Sequence, residues 1–183
     1  MPLLILLSFV ISFYEQKPYP SIHQMEYQGH LNEAEWTPIL KQRLHYAPLE
    51  PRINGMIKNY YGYLPYWIDT VYYQYFQMEL LTHISYFSVG IDPSTGGLGS
   101  IPNASRFYKI RDYAHPRGVR LHMTFTIFGN TNVLNFLNNP TARNNAVNNI
   151  RNFMTNYGCD GANIDFEFVT SAVRDSFNRF IND

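Results

Sequence analysis

The stretch Asp160-Gly161-Ala162-Asn163-Ile164-Asp165-Phe166-Glu167 constrains this chain more than any other. From Ala162 to Phe168, apolar and polar residues alternate, which is the periodicity of a strand. Asn163, Asp165 and Glu167 share one face. Ala162, Ile164, Phe166 and Phe168 share the other and can pack under helices. A row of acids facing inward is expensive unless it is hydrogen-bonded, paired or used in chemistry. The plain alternative is a polar strand end with capping acids.

The surroundings of this strand read as a repeating pattern. A first strand is expected within Met56–Trp67, then a short helix over Thr70–Leu81 with Tyr72, Tyr73 and Phe76 on one face. His83–Ile91 is a second apolar strand. The loop that follows it carries Gly96, Gly97 and Gly99 as turn residues. A helix over Asn103–His115 places Phe107, Ile110 and Ala114 at helical spacing, and Val119–Phe128 is a third strand. Asn139-Pro140 signals a helix start by N-cap and N1 proline, and Gly158 signals its end. Asparagines such as Asn145 and Asn149 read as that helix's solvated outer face. After the fourth strand, Thr170 is expected to cap a last helix carrying Val173, Phe177 and Phe180. Strands alternating with helices predict parallel pairing through right-handed crossovers. Four such units make either a small open sheet or half of an eight-fold α/β barrel. The acids then fall at the C-terminal strand ends, where barrel enzymes keep their chemistry.

Bulk properties exclude some functions. Lys+Arg 14 balances Asp+Glu 14, so no net charge draws the chain to nucleic acid or an anionic membrane. Cys159 is the single cysteine, which excludes an intrachain disulfide and a multi-cysteine metal site; it reads as a buried, inert thiol. His83 reads as a hydrogen-bonding residue at the base of the second strand, with no second histidine at ligand spacing. No metal and no cofactor is expected. The apolar run Leu3–Phe13 within residues 1–13 resembles the core of a secretory signal or a short anchor; it is too short for an integral membrane span. A secreted or envelope-associated protein is the expectation. Residues 14–55, interrupted by Pro18, Pro20, Pro38, Pro48 and Pro51, read as an irregular leader ahead of a domain over 56–183.

The acidic strand resembles the signature of glycoside hydrolase family 18, the chitinase family, which is Asp-x-x-Asp-x-Asp-x-Glu on the fourth barrel strand. Here it stands as Asp160-x-x-Asn163-x-Asp165-x-Glu167, with Asn163 in place of the first Asp of the inner triplet. Tyr61-Gly62-Tyr63-Leu64-Pro65-Tyr66-Trp67 looks like the family's first strand and Leu81–Phe87 like its second. Thr124–Gly129 is a looser version of its Ser-x-Gly-Gly third strand. The resemblance implies a (β/α)8 TIM barrel of which about the first four units are present. The family's fifth-to-eighth-strand parts, including a substrate-holding Tyr and a floor Trp, fall outside these 183 residues.

That resemblance also implies a chemistry. The family departs from two-carboxylate hydrolysis: the 2-acetamido group of the substrate attacks the anomeric carbon. Glu167 would protonate the glycosidic oxygen and later activate water. Asp165 would orient the acetamide N–H and stabilise the oxazolinium charge. Asn163 would offer Asp165 a neutral donor where a carboxyl group would share its proton. Asp160 and Gly161 read as structural parts of the motif, with Asp160 bonding backbone amides of the loop. Tyr63 and Trp67 are candidates for stacking on sugar faces, with barrel packing as the alternative. The implied partner is a polysaccharide containing N-acetylglucosamine, either chitin or a peptidoglycan-type glycan. Three readings follow: a hydrolase, a non-catalytic carbohydrate-binding relative or inactive fragment, and an Asp/Glu metal site that would need more acids than Asp92 supplies.

Overall fold

The computed structural model describes residues 59–183. The expected signal run, the leader and the start of the first expected strand at Met56 lie outside the described residues. Four strands, β1 (Tyr61–Pro65), β2 (His83–Gly90), β3 (Arg120–Ile127) and β4 (Gly161–Phe166), form one sheet in the order β1-β2-β3-β4. Every neighbouring pair is parallel. Parallel crossovers are right-handed, so a strand order that never reverses puts every connecting helix on the same face. A doubly wound sheet would reverse direction at a switch point. Sequential order is the topology of a barrel wall, and among the described residues it leaves the opposite face, the inner one, without helices.

The helices are α1 (Ala104–Ala114), α2 (Asn130–Leu137), α3 (Pro140–Tyr157) and α4 (Arg174–Asn182). The layer between sheet and helices is apolar. From the sheet come Ile84, Tyr86, Leu121, Met123, Phe125 and Ile127, and from the helices Phe107, Ile110, Val133, Phe136, Ala146 and Phe153. Rings meet there edge to face: Phe125 with Phe153 at 5.3 Å, and Phe136 with Phe166 at 5.5 Å and Phe180 at 5.2 Å. Edge-to-face pairs add stability beyond their buried area.

Several expectations hold. In α3, the Asn139 side chain accepts the Ala142 N–H at 3.1 Å, Pro140 occupies the first turn, and Gly158 ends the helix at φ 69°. Phe107, Ile110 and Ala114 are the buried face of α1.

Others need correction. Thr70–Leu81 is not an α-helix but two 3₁₀ turns, Thr70–Tyr75 and Met78–Leu80, with Phe76 extended between them. Aromatic and β-branched residues are weak helix formers, and of the expected face only Tyr73 is buried. Asn130–Leu137 is a helix the sequence reading missed. It is short and polar outside, yet Val133, Phe136 and Leu137 carry the i, i+3, i+4 signal. Thr170 does not cap the last helix: a 3₁₀ turn over Ser171–Val173 intervenes, and the Thr170 hydroxyl makes no capping bond.

The asparagines of α3 are likewise more than a solvated face. Asn139, Asn145 and Asn149 donate from Nδ2 to the successive carbonyls of Ser94, Thr95 and Gly96 at 3.1, 3.0 and 3.0 Å. They stitch the loop after β2 to the helix, and the loop backbone comes close. A Cβ built on Gly96 would lie 2.0 Å from the Ala142 carbonyl oxygen, and Gly96 has φ 74°. Gly96→Ala is therefore expected to destabilise the fold by about 3 kcal/mol or more, through backbone clash and left-handed strain together. Urea titration of both proteins checks this; matching midpoints would refute it.

Candidate active site

The inner face is built by alternation. Residues that do not point at the helices are Tyr61 and Tyr63 on β1, His83 and Ser85 on β2, His122, Thr124 and Thr126 on β3, and Asn163 and Asp165 on β4. The register sets Thr124 beside Asn163 and Thr126 beside Asp165. These side chains are mostly polar, in contrast to the apolar opposite face.

At the N-terminal end of the sheet the face is locked. Asp160 Oδ2 accepts the Leu121 N–H at 2.7 Å and lies 2.9 Å from His115 Nε2, while the Asp160 N–H donates to the Leu121 carbonyl. The expected partner of Asp160 is a backbone amide of the loop. The observed one, however, belongs to β3 and not to the loop, so the residue pins the β3–β4 register. His83 takes a hydrogen bond as expected: its Nδ1 lies 2.8 Å from the Thr82 hydroxyl, which is 2.9 Å from the Tyr60 carbonyl. His122 packs edge-on to His83 with ring centres 5.0 Å apart, and the Tyr61 hydroxyl is 3.0 Å from its Nδ1. Gly161 leaves room for that ring, since a Cβ there would come within 2.6 Å of His122 Nε2. Partial burial pushes the Tyr61 phenol above its ordinary value, outweighing a hydroxyl contact with Ser85.

Above this base a hydrogen-bonded row crosses all four strands. Ser85 and Thr124 hydroxyls meet at 2.7 Å. Asn163 Nδ2 donates to Thr124 Oγ1 at 3.4 Å, and the Tyr63 hydroxyl donates to Asn163 Oδ1 at 3.3 Å. Tyr63 and Asn163 stand on opposite edges of the described sheet, three strand spacings apart, or roughly 14 Å if the sheet were flat. Upright side chains bridge that span only when the sheet curls. The contact is thus a direct sign of barrel curvature.

At the C-terminal end lie the two carboxylates. Asp165 is half-buried, beside Thr126. Glu167 is one residue past the end of β4, but its N–H still reaches the Ile127 carbonyl at 3.4 Å. The ladder therefore extends far enough to keep Glu167 in the parity of Asn163 and Asp165. Phe168 then turns the chain away with φ 64°. Trp67 is at this same end, in the turn after β1, edge-on to Tyr66 at 5.0 Å and Phe87 at 6.4 Å.

The structure thus brings Asn163 and Tyr63 into contact and places Asp165 and Glu167 on the same face. It places Trp67 at the same end of the sheet and Asp160 and Gly161 at the opposite one. The polar residues Ser85, His122, Thr124 and Thr126 were not singled out from sequence as site residues; their period-two spacing within apolar strands was the available signal. Asp92 is a turn residue: its carboxylate accepts the N–H groups of Ser94 and Thr95, and these bonds hold its pKa below the ordinary value. Among the described residues, no cluster of three His, Cys, Asp or Glu could hold a metal ion. Cys159 is half-buried, and burial pushes its thiol up to about 12, with Asp160 adding to the effect.

A parallel sheet wound in sequence, with polar residues on its inner face and carboxylates at its C-terminal end, is the wall of a β/α barrel with acids at the end where such barrels keep their chemistry. Residues 59–183 match the family model of glycosyl hydrolases family 18, and the chain belongs to that family. A 45-residue segment is 53% identical to the sporulation-specific glycosylase named YdhD of Bacillus subtilis (strain 168), covering 25% of this chain and 11% of that one. Among solved structures, a chitinase from Bacteroides thetaiotaomicron superposes with a TM-score of 0.63 at 24% identity, over 69% of this chain and 42% of that one. The Bacillus cereus spore cortex-lytic enzyme SleL superposes with a TM-score of 0.56 at 23% identity, over 66% of this chain and 30% of that one. The chain therefore spans less than half the length of each of these relatives, and the two superpositions speak for the fold.

Burial, and secondarily the neighbouring His83, holds the His122 pKa below 6.5. Asp160 opposes that shift and Arg120 supports it. Below pH 6.5 the unfolded chain then binds a proton that the folded one does not. His122 contributes full stability above that pH and loses it as pH falls, down to the folded-state pKa. Between about pH 7.5 and about pH 5, His122→Gln should lose less stability than the parent. Denaturation midpoints across that range decide it, and parallel declines would count against the assignment.

Proposed function

We propose that these β/α units carry the acid end of a retaining, substrate-assisted glycoside hydrolase acting on β-1,4-linked N-acetylglucosamine glycans. The observation that carries this reading is the shared parity of Asn163, Asp165 and Glu167 on the face opposite helices α1 to α4. The row ends where the strand C-termini open. Consecutive residues on one face of a strand have Cα atoms roughly 6–7 Å apart. Asp165 and Glu167 thus reach two neighbouring atoms of one sugar rather than one shared proton.

In the proposed reaction, Glu167 donates its proton to the glycosidic oxygen as the bond to the anomeric carbon breaks. The acetamide oxygen of the same sugar forms the new bond to that carbon, giving an oxazolinium ion and a free alcohol. Asp165 accepts the acetamide N–H and stabilises the cation. Glu167, now a carboxylate, removes a proton from water as it opens the ring, so the anomeric configuration is retained. Asn163 holds no charge. Its Oδ1 is occupied by Tyr63 and one Nδ2 hydrogen by Thr124, which fixes the amide plane beside Asp165. Tyr63 and Trp67 offer rings for the apolar faces of the sugars.

Chitin and peptidoglycan-type glycan both present the required acetamide. The names of the relatives point both ways, one to a chitinase and one to a spore cortex-lytic enzyme. Either polymer lies outside the cytoplasm, and Leu3–Phe13 is proposed as the export signal that would take the protein there.

Glu167→Gln tests the assignment in the full chain, with a fluorogenic N-acetylglucosamine oligomer as substrate. Turnover should fall by about 10²–10⁴ with oligomer binding unchanged. Undiminished turnover in the variant would exclude Glu167 as the proton donor. Saturable binding with no turnover by either protein would favour the non-catalytic, carbohydrate-binding reading.

A further inference from the structure

The turn that follows β1 is held from outside the sheet by one face of α1. Asn103 stands at the N-cap of the helix, and Arg106 and Lys109, three residues apart, lie along one side of it. Each reaches a successive part of residues 66–70. Asn103 Nδ2 donates to the Tyr66 carbonyl at 3.2 Å. Arg106 Nη1 donates to the Tyr66 carbonyl at 3.1 Å and the Trp67 carbonyl at 2.7 Å, and its Nη2 meets Asp69 Oδ2 at 3.4 Å. Lys109 Nζ donates to Thr70 Oγ1 at 3.3 Å.

Arg106 is the centre of this ladder. A chain leaving a sheet edge has carbonyls with no ladder partner, and a guanidinium can serve two at once from one rigid plane. The same side chain pairs with Asp69, whose other oxygen accepts the Val71 N–H at 3.0 Å and starts the 3₁₀ turn. The helix end that carries these residues is itself fixed. Tyr86, fully buried, donates its hydroxyl to the Pro102 carbonyl at 2.8 Å, with the Asn103 carbonyl at 3.3 Å. On its other side the turn is tied to the sheet, through the Tyr66 N–H donating to the Phe87 carbonyl at 2.9 Å. The backbone of Tyr66 and Trp67 is thus gripped between α1 and β2, and the half-buried Trp67 indole has little freedom of position.

We propose that Arg106 is a positioning residue for the substrate cleft: by gripping the Tyr66 and Trp67 carbonyls it sets the plane and height of the Trp67 ring against a bound sugar. This rests on the reading of Trp67 as a sugar platform, since Arg106 lies in the helical layer and acts only through the turn. A stacking ring must meet the sugar face within a fraction of an ångström to hold it. Loss of the clamp should therefore weaken binding of oligosaccharides without touching Asp165 or Glu167.

The test uses the full chain in a Trp36→Phe background, which leaves Trp67 as its one tryptophan. The emission maximum of Trp67, its quenching by acrylamide, and its response to N-acetylglucosamine tetramer are recorded for the parent, Arg106→Ala and Arg106→Lys. Circular dichroism verifies that each is folded. Arg106→Ala should shift the emission to the red, raise quenching and weaken tetramer binding about tenfold. Arg106→Lys, with a point charge in place of the two-pronged donor, should fall between the two; it also decides the matter if the alanine variant does not fold. Unchanged emission and unchanged affinity in a folded Arg106 variant would overturn the proposal while leaving the sugar platform standing. A parent whose Trp67 signal ignores bound tetramer would overturn the platform, and this inference with it, whatever Arg106 does to the emission.

Discussion

Two tyrosines of β1 lie across the inner face of the sheet, Tyr61 reaching His122 on β3 and Tyr63 reaching Asn163 on β4. These contacts skip one strand and two strands respectively, and a flat sheet does not permit them for side chains that stand upright. They depend on strand order without reversal, on right-handed crossovers that place helices on one face, and on the curl that follows from packing those helices outside. The rest of the molecule inherits this arrangement. Polar side chains that would be costly in an ordinary two-sided core are paired with one another along a curved wall. Ser85, Thr124, Asn163 and Tyr63 form such a row, one residue from each strand.

The sheet has a structural end and a chemical end. At the N-terminal end, Asp160 bonds the β3 backbone and His115; His83 and His122 bond the Thr82 and Tyr61 hydroxyls, and the two imidazoles of His83 and His122 pack edge to face. At the C-terminal end, Asp165 and Glu167 sit where strands give way to loops, and those loops are anchored from the helical side. Arg106 grips the turn after β1, and the asparagines of α3 grip the loop after β2. In both cases a helix supplies side-chain donors to carbonyls that have left the strand ladder. Secondary structure here is both a scaffold beneath the site and the source of hydrogen bonds that shape its rim.

Much of this was readable from residues alone, for definite reasons. Period-two alternation in 162–168 assigned faces without any knowledge of the fold, because strand parity is a local property. The capping of α3 by Asn139, Pro140 and Gly158 was equally local. The failures came where tertiary contacts overrode local pattern. The aromatic run Thr70–Tyr75 became a 3₁₀ turn, capped by Asp69 in the grip of Arg106. Phe168 took a left-handed backbone, which ended β4 two residues early. Asn145 and Asn149 looked like solvated polar residues, because nothing in their spacing reveals that a loop fifty residues earlier presents its carbonyls to them.

The sequence by itself determined where the four strands lie, the caps of α3, the faces of residues 162–168 and with them the row of Asn163, Asp165 and Glu167, since all of these follow from periodicity and capping within a few residues. Only the tertiary structure decided that the sheet runs in sequential order and curls, and that Tyr63 meets Asn163. It also decided that Arg106 and the asparagines of α3 hold the rim. These depend on which distant segments the chain brings together to bury its apolar face, and that choice is a balance over the whole packed layer rather than a property of any one stretch.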